Sequence, residues 1–336
     1  MLMAGLLLAA LLLDEICAEV KRFHPLVGFG NYALFLERHL YADKPRWQLI
    51  SGILCWCLAV MPMALLSALF MWLISLLGSV WLYYVVSVIA LYFTLGQKSL
   101  KQHGQAVARP LQEAAASTSE HKDEKLTEAR YALSMIVSRD TQQSTPDQMA
   151  TATIETITEN THDAIIGPLV FFVLLGVPGA VLFRLANTLD AMWGYRTPRY
   201  ELFGKCAARM DDILGYAPAR LTSILMALSN PVNFPKAMKS ILFTGRRWYS
   251  PNAGLVMAAG AGVLNIRLGG DAIYNGISKK RLTLGPDDGV KSVQVDDIQR
   301  SIWLMYKTSF LCVLLVLILE LFFPTLFATK QIGWLI

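Results

Sequence analysis

The sequence contains few charged residues for its length. Only 16% of its 336 residues are Asp, Glu, Lys or Arg, whereas 54% are hydrophobic. Soluble domains carry roughly 25% charged residues, so this composition indicates an integral membrane protein. The net charge is a mild +5, and no basic block is interleaved with aromatic residues. We therefore expect no nucleic-acid partner, while membrane lipid and an anionic substrate are both compatible with the charge.

Cysteines are also few, and they lack the spacing of a disulfide framework or a zinc site. No two of them stand in a CxxC pair; the five are Cys17, Cys55, Cys57, Cys206 and Cys312. The chain has no GxxxxGK[ST] and no HExxH motif either, so neither a P-loop nor that class of zinc hydrolase is indicated. The apolar N-terminus lacks a basic start, which argues against a cleaved signal peptide.

Charge is absent altogether from residues 49–96. A membrane-spanning helix needs about 20 apolar residues, so this stretch predicts a transmembrane hairpin with spans at about 49–77 and 79–96. Its two ends must return to one side of the membrane. Both flanks are basic, which places them on the cytoplasmic face of the membrane; the residues are Arg38, Lys44, Arg46, Lys98, Lys101 and Arg109.

Three further apolar stretches complete the predicted topology, at about residues 1–20, 164–183 and 309–328. The middle one contains Gly167-Pro168 and Pro178-Gly179, which break helices. We favour a broken or re-entrant hairpin there over a full crossing, because a hairpin keeps the polar motifs on its two sides together. The predicted fold is an all-α polytopic membrane bundle, one domain over residues 1–336, with a polar cytoplasmic helical and loop region at 97–163.

Acidic residues follow one helical face just before the broken stretch. Glu155, Glu159 and Asp163 are spaced i, i+4, i+8, so their like charges repel unless a cation relieves them. Carboxylate oxygens are ligands that Mg²⁺ prefers, usually one or two together with substrate phosphates. A solvated helix face is the alternative explanation. We take Glu159 and Asp163 as candidate catalytic or metal-binding residues.

Two more polar sets follow the broken stretch, on predicted helices. In the first, Asn187 and Asp190 share a helical face, with Arg184 one turn earlier. In the second, Lys205 and Arg209 precede Asp212 on one face; these charges form either simple ion pairs or a phosphate clamp beside a metal ligand.

Further candidate anion-binding residues are Arg139, Arg220, Ser250 and Asn252. Ser250 and Asn252 belong to SPNAG, which precedes an Ala/Gly-rich helix. The N–H groups at such a helix start can meet an anion, although simple N-capping also explains these residues.

These motifs, taken in order, resemble the CobD/CbiB family, the adenosylcobinamide-phosphate synthases of cobalamin synthesis. The resemblance covers roughly residues 24–276 and rests on RDT (139–141), ENTxD (159–163), NTLDxMxGY (187–195), FGxxAARxDD (203–212), PAR (218–220), SPNAG (250–254) and RLGG (267–270).

The resemblance implies an amide ligase that joins the carboxylate of adenosylcobyric acid to the amine of aminopropanol or its O-phosphate. It further implies ATP and Mg²⁺, a site facing the cytoplasm, and possible partners among other late cobalamin-pathway membrane enzymes. The resemblance implies that the acids bind the metal or the amine. Glu159, Asp163 and Asp190 would be the metal ligands, and Asn187 and Asp212 would be further catalytic residues. The basic residues would bind anions; they are Arg139, Arg184, Lys205, Arg209 and Arg220.

The sequence departs from the family pattern near its start, where Asp14-Glu15-Ile16 and Phe23-His24-Pro25 stand without the usual GDP, and at Ser138, which replaces a usual Gly. The sequence leaves two other classes of membrane protein open as alternatives to an enzyme. A non-catalytic membrane signalling or scaffold relative of the AmpE type is one. A transporter is the other, suggested by charges beside a broken apolar segment, although no inverted repeat is visible.

Overall fold

The described part of the chain is mostly helical, as predicted. The computed structural model describes residues 2–17, 24–117, 119–274, 276–287, 290–325 and 327, so residues 1, 18–20, 326 and 328 of the predicted terminal spans lie outside the described residues. Its helices are α1 (Leu2–Cys17), α2 (Pro25–Leu40), α3 (Pro45–Leu76), α4 (Val80–Tyr92), α5 (Gln97–Ala116), α6 (Ser119–Ser134), α7 (Pro146–Thr161), α8 (Gly167–Trp193), α9 (Lys205–Leu228), α10 (Phe234–Phe243), α11 (Ala253–Leu264) and α12 (Asp296–Phe322).

Among the described residues, four helical stretches are long and apolar enough to cross a membrane, which confirms the polytopic all-α class. They are Pro45–Leu76, Val80–Ala116, Pro146–Trp193 and Asp296–Phe322. The predicted N-terminal span is not among them, because α1 has only 16 residues and therefore reaches about 24 Å, short of a bilayer core of about 30 Å.

Backbone contacts group the chain into two compact units. Unit one comprises Met1–Gly96, Asp163–Pro218 and Val313–Ile336, and unit two comprises Gln97–His162 and Ala219–Cys312. Both units are therefore assembled from separate parts of the sequence. The predicted single membrane-embedded domain over residues 1–336 stays a prediction.

The core of unit one forms where α2, α3 and α8 pack together around buried aromatic residues, among them Trp56, Trp193 and Phe203. One acid, Glu37, is buried beside this core. Its carboxylate accepts hydrogen bonds from Trp193 Nε1 (3.0 Å) and Arg199 Nε (2.8 Å), so its charge is balanced. These bonds fasten α2 to the end of α8 and to the loop that follows.

Helix α1 of unit one begins against a buried carboxylate. Glu320, on α12, accepts hydrogen bonds from the backbone N–H groups of Met3 (2.8 Å) and Ala4 (3.0 Å). The first N–H groups of a helix have no partner within the helix, and the helix dipole favours a negative charge there. Glu320 therefore has a structural role, as a helix cap inside an apolar environment.

The chain reverses within α8, at Gly176. This residue has φ 70° and ψ −155°, a conformation outside the helical region that glycine adopts at little cost. The rings of Phe171 and Phe183 lie 5.1 Å apart between centroids, whereas twelve residues of straight helix would separate them by about 18 Å. A Cβ on Gly179 would lie 2.3 Å from the Phe171 carbonyl oxygen, so glycine permits this close approach.

Unit two contains the polar region and a small β element. Helices α5 and α6 pair, and the Ser/Thr/Lys/Glu-rich linker that the sequence predicts as a surface loop of the polar region is mostly part of α6 (Ser119–Ser134), so that interpretation was wrong. Its charged residues are good helix formers, and α6 packs on α5. After α11 come two short antiparallel ladders, β1 (Leu268–Gly269) with β4 (Thr283–Leu284) and β2 (Ala272–Tyr274) with β3 (Ile277–Lys279).

Candidate functional site

The reversal in α8 brings together two acids that are far apart in sequence. Asp163 lies in a π-helical turn, His162–Ile166, immediately before α8. Asp190 lies in the last turn of α8, and its carboxylate is close enough to Asp163 for the two charges to repel each other. Single π-helical turns are rare and frequently occur at functional sites. The two polar motifs that flank the apolar segment therefore contribute to one place in unit one.

Helix α9 adds two more carboxylates, Asp211 and Asp212, to the same place. The charges of Asp163 and Asp190 act on Asp211, and that of Asp212 acts on Asp190. Asn187, one turn before Asp190, donates a hydrogen bond from Nδ2 to Asp211 Oδ1 at 3.2 Å. We call Asp163, Asp190, Asp211 and Asp212 the acidic cluster.

Ionisation of Asp211 and Asp212 is costly in the acidic cluster. Burial, followed by the charges of Asp163 and Asp190, raises the pKa of Asp211 well above its usual range, although the hydrogen bond from Asn187 acts in the opposite direction. Burial also raises the pKa of Asp212, and the charge of Arg209 opposes that rise. A bound cation or ammonium group would relieve this repulsion, because opposite charges favour the ionised form of a carboxylate.

The raised pKa of Asp211 predicts a specific pH dependence of stability. Between the ordinary Asp pKa near 4 and the raised value, the folded state binds more protons than the unfolded state. Stability is therefore lost as pH rises through this window. Asp211→Asn removes the ionisation and keeps an oxygen for Asn187. We expect its gain in melting temperature over the wild type to be larger at pH 8 than at pH 5, and an equal gain at both would contradict this assignment.

The basic residues of unit one that we predicted to bind anions differ in their exposure to solvent. Arg184 is half-buried. Its Nη2 atom lies close to Gly96, 3.9 Å from the position that a Cβ atom on that residue would occupy. Lys205 and Arg209 are exposed on α9, and Arg209 is close enough to Asp212 to act on its charge. Their function as anion clamps stays a prediction.

In unit two, Arg139 is bonded to a buried acid. Glu155 accepts hydrogen bonds from Arg139 Nη2, from the backbone N–H of Gly269 at 2.7 Å and from Arg281 Nη2 at 3.0 Å. The exposed fractions of the three side chains are small, 5% for Glu155, 13% for Arg139 and 12% for Arg281. We call these three side chains the Glu155 cluster; it carries a net charge of +1.

The other predicted residues of unit two have local structural partners. Arg220 Nη1 donates to Asn252 Oδ1 at 3.3 Å. Ser250 Oγ accepts from the backbone N–H groups of Asn252 (3.4 Å) and Ala253 (3.2 Å), which forms a local turn just before α11. The N-cap residue of α11 is Asn252, whose side chain makes no capping hydrogen bond. Glu159 is half-buried.

The family of the chain follows from comparison with known proteins. A family model described as CobD/Cbib protein matches residues 7–305. The chain belongs to the CobD/Cbib protein family. It is 42% identical over 297 residues to the cobalamin biosynthesis protein CobD of Stutzerimonas stutzeri, covering 88% of this chain and 92% of that protein.

Other relatives extend the similarity along most of the chain. The cobalamin biosynthesis protein CobD of Chromobacterium violaceum is 40% identical over 318 residues, with 91% of this chain and 96% of that protein covered. The cobalamin biosynthesis protein CbiB of Salmonella arizonae is 33% identical over 321 residues, with 91% and 94% covered. No solved structure matches the chain. Family membership therefore agrees with the order of motifs in the sequence.

The three predicted metal ligands are divided between the two units. Asp163 and Asp190 belong to unit one, and Glu159 belongs to unit two. Among the described residues, no three acidic, histidine or cysteine side chains are arranged as a ready metal-binding group. Mg²⁺ is usually held by one or two carboxylates together with waters and substrate phosphates. Its binding here stays a prediction.

Several charged residues of the two units were not predicted as site residues. Glu155 appeared in the sequence only as one of three stacked acids, and neither Arg281 nor Asp211 was among the candidate residues. The i, i+4 repulsion between Glu155 and Glu159 was a signal that one of them needs a cationic partner. The identity of that partner had no local signal.

Proposed function

We propose that this chain is an amide ligase of cobalamin biosynthesis. It would join the carboxylate of adenosylcobyric acid to the amine of aminopropanol or its O-phosphate, consuming ATP in the presence of Mg²⁺. Membership of the CobD/Cbib family and the names of its relatives support a role in cobalamin biosynthesis. The observation that carries the chemical part of the proposal is the acidic cluster, which the chain reversal at Gly176 assembles from three separate motifs.

The proposed reaction replaces a carboxylate oxygen by nitrogen. The γ-phosphoryl group of ATP is transferred to the carboxylate and ADP leaves. The ammonium form of the amine loses one proton and the free amine attacks the carbonyl carbon. The C–N bond forms, the C–O bond breaks as phosphate leaves, and the nitrogen loses a second proton, so that the amide keeps one N–H. One carboxylate of the acidic cluster is the proposed acceptor of the proton that the ammonium group must lose before attack.

The remaining residues of the cluster suit the charges of this reaction. The oxygens of Asp163, Asp190 and Asn187 are of the kind that Mg²⁺ prefers, and the ion would neutralise charge on the ATP phosphates. Lys205 and Arg209, both on α9, are proposed to bind the phosphate groups. We propose that the site faces the cytoplasm from the inner membrane, since ATP is available there.

Product formation by the purified protein tests the proposal. The protein in lipid nanodiscs would be incubated with adenosylcobyric acid, aminopropanol O-phosphate, ATP and Mg²⁺, and the corrinoid amide would be measured by mass spectrometry. We expect product only when all four components are present. Folded protein that makes no amide from verified substrate, with either form of the amine, would overturn the proposal and leave the non-catalytic membrane protein as the better explanation.

A further inference from the structure

Unit two contains a long stretch of chain without an acidic residue. Residues 219–270, which belong to that unit, include no Asp or Glu. They include six basic residues: Arg220, Lys236, Lys239, Arg246, Arg247 and Arg267. In membrane proteins, Lys and Arg are enriched in the segments beside the cytoplasmic surface of the bilayer. The composition of this stretch is therefore typical of chain that lies near lipid headgroups.

Three of these basic residues are bonded within unit two, and the other three are exposed. The bonded residues donate to a side-chain or backbone oxygen; they are Arg220, Lys236 and Arg267. The exposed residues are Lys239 on α10 and Arg246 and Arg247 in the 3₁₀ turn that follows it. Lys239 lies 3.6 Å from Asp287, but both side chains are exposed, and such pairs contribute little to stability. The end of α10 therefore presents a positive surface.

One side of α10 is packed against α11. The buried residues of α10 are Ala237, Ser240 and Ile241, which helical spacing places on one side of the helix. A Cβ on Gly262 of α11 would lie 2.4 Å from the Cα of Ala237, so the two helices are in close contact. This side of α10 is therefore not available to another partner.

The opposite side of α10 is exposed, and much of it is apolar. Its residues are Pro235, Lys239, Leu242 and Phe243, at the spacings of three and four residues that define one helix face. The exposed fraction is 59% for Phe243 and 86% for Val232, just before the helix. A helix face in contact with water is normally polar, and an exposed apolar patch beside polar residues marks an interaction site. We call Val232, Lys239, Leu242, Phe243, Arg246 and Arg247 the α10 surface.

We propose that the α10 surface docks on the cytoplasmic leaflet of the membrane that the chain spans, and that its basic residues bind anionic phospholipid headgroups. The apolar side chains of an interfacial helix enter the boundary of the acyl chains, while Lys and Arg stay with the headgroups. The α10 surface supplies both kinds of side chain, and residues 219–270 contain no acid that would repel the headgroups. The docking does not rest on the proposed reaction, because none of these residues belongs to the acidic cluster.

A fluorescent label at position 243 tests the docking in the full-length protein. Phe243→Cys would be labelled in a variant that lacks the five native cysteines, in nanodiscs whose lipids carry a quencher at the headgroup. We expect the label to be quenched at least about threefold more in phosphatidylglycerol than in phosphatidylcholine, because each basic residue near an anionic surface strengthens binding about fivefold. A label at Tyr131→Cys, an exposed position on α6, should be quenched equally in both lipids.

Removal of charge tests the recognition of the headgroups. The combined variant Lys239→Gln, Arg246→Gln and Arg247→Gln should lower the quenching at position 243 in phosphatidylglycerol to its level in phosphatidylcholine. The same loss of charge at exposed lysines elsewhere in unit two should leave the quenching unchanged; these substitutions are Lys122→Gln, Lys279→Gln and Lys280→Gln.

Two results would overturn the docking proposal. Equal quenching at position 243 in both lipids would show an apolar contact without recognition of the headgroups. No quenching in either lipid would place the α10 surface in water, where a protein partner is the better explanation. Because the readout needs no substrate, neither result affects the ligase proposal, and a protein that forms no amide can still show lipid-dependent quenching.

Discussion

Asp190→Asn is expected to lower the rate of amide formation by about 100-fold or more, the usual cost of removing one charge-stabilising group from a reaction centre. Asp190 lies among Asp163, Asp211 and Asp212, and asparagine keeps the size of its side chain while removing its charge. The rate would be measured with all substrates saturating. A loss of affinity for Mg²⁺ should accompany the lower rate if this carboxylate helps to hold the ion.

The control for this variant is Asp43→Asn, the same change at an exposed acid of unit one between α2 and α3. It should retain full activity. The melting temperature of Asp190→Asn should be no lower than that of the wild type, because the change removes one of several mutually repelling charges. Full turnover in Asp190→Asn would contradict the assignment of the reaction site to the acidic cluster.

Glu155→Gln is expected to lower the free energy of unfolding by about 3–5 kcal/mol, the range found when one partner of a buried ion pair is removed. The variant leaves Arg139 and Arg281 largely buried without a counter-charge, and glutamine can accept only part of their hydrogen bonds. Chemical denaturation of the purified protein measures this effect.

Glu128→Gln is the matched control for Glu155→Gln, since it changes the same residue type within unit two at an exposed ion pair. Glu128 is bonded to Lys125 at 3.1 Å, and its side chain is 56% exposed. Exposed pairs of this kind contribute about 0–1 kcal/mol, so little change is expected. If both variants had the same small effect, the Glu155 cluster would have no special structural role.

The membrane-spanning character was predictable from the sequence, because it depends on length and hydrophobicity. The uncharged stretch of residues 49–96 corresponds to α3 and α4, and the glycines and prolines of residues 164–183 indicated a break. The location of the break was not predictable: the non-helical residue is Gly176, outside both of the Gly-Pro pairs that the sequence highlighted. Several glycines in one segment can each permit a reversal, and tertiary packing selects among them.

The candidate site was only partly predictable, for a physical reason. Spacing along a helix reveals residues that share a face, so Asn187 and Asp190 were recognised together. Partners brought together by tertiary structure leave no periodic signal. Arg281 contacts Glu155 across 126 positions, and Trp193 contacts Glu37 across 156. The motifs therefore indicated most of the residues of the acidic cluster but not the cationic partner of Glu155.

The acidic cluster depends on the reversal at Gly176, and cross-linking between residues 171 and 183 tests that reversal most directly. Phe171→Cys and Phe183→Cys would be combined in a variant that lacks the five native cysteines, in nanodiscs, with a short thiol-specific cross-linker. We expect an efficient intramolecular cross-link, because the two phenylalanine rings lie 5.1 Å apart. A cysteine pair at Leu54 and Leu66, equally spaced along α3, should not react. No cross-link at 171 and 183 would show a straight helix and would contradict the assembly of the site.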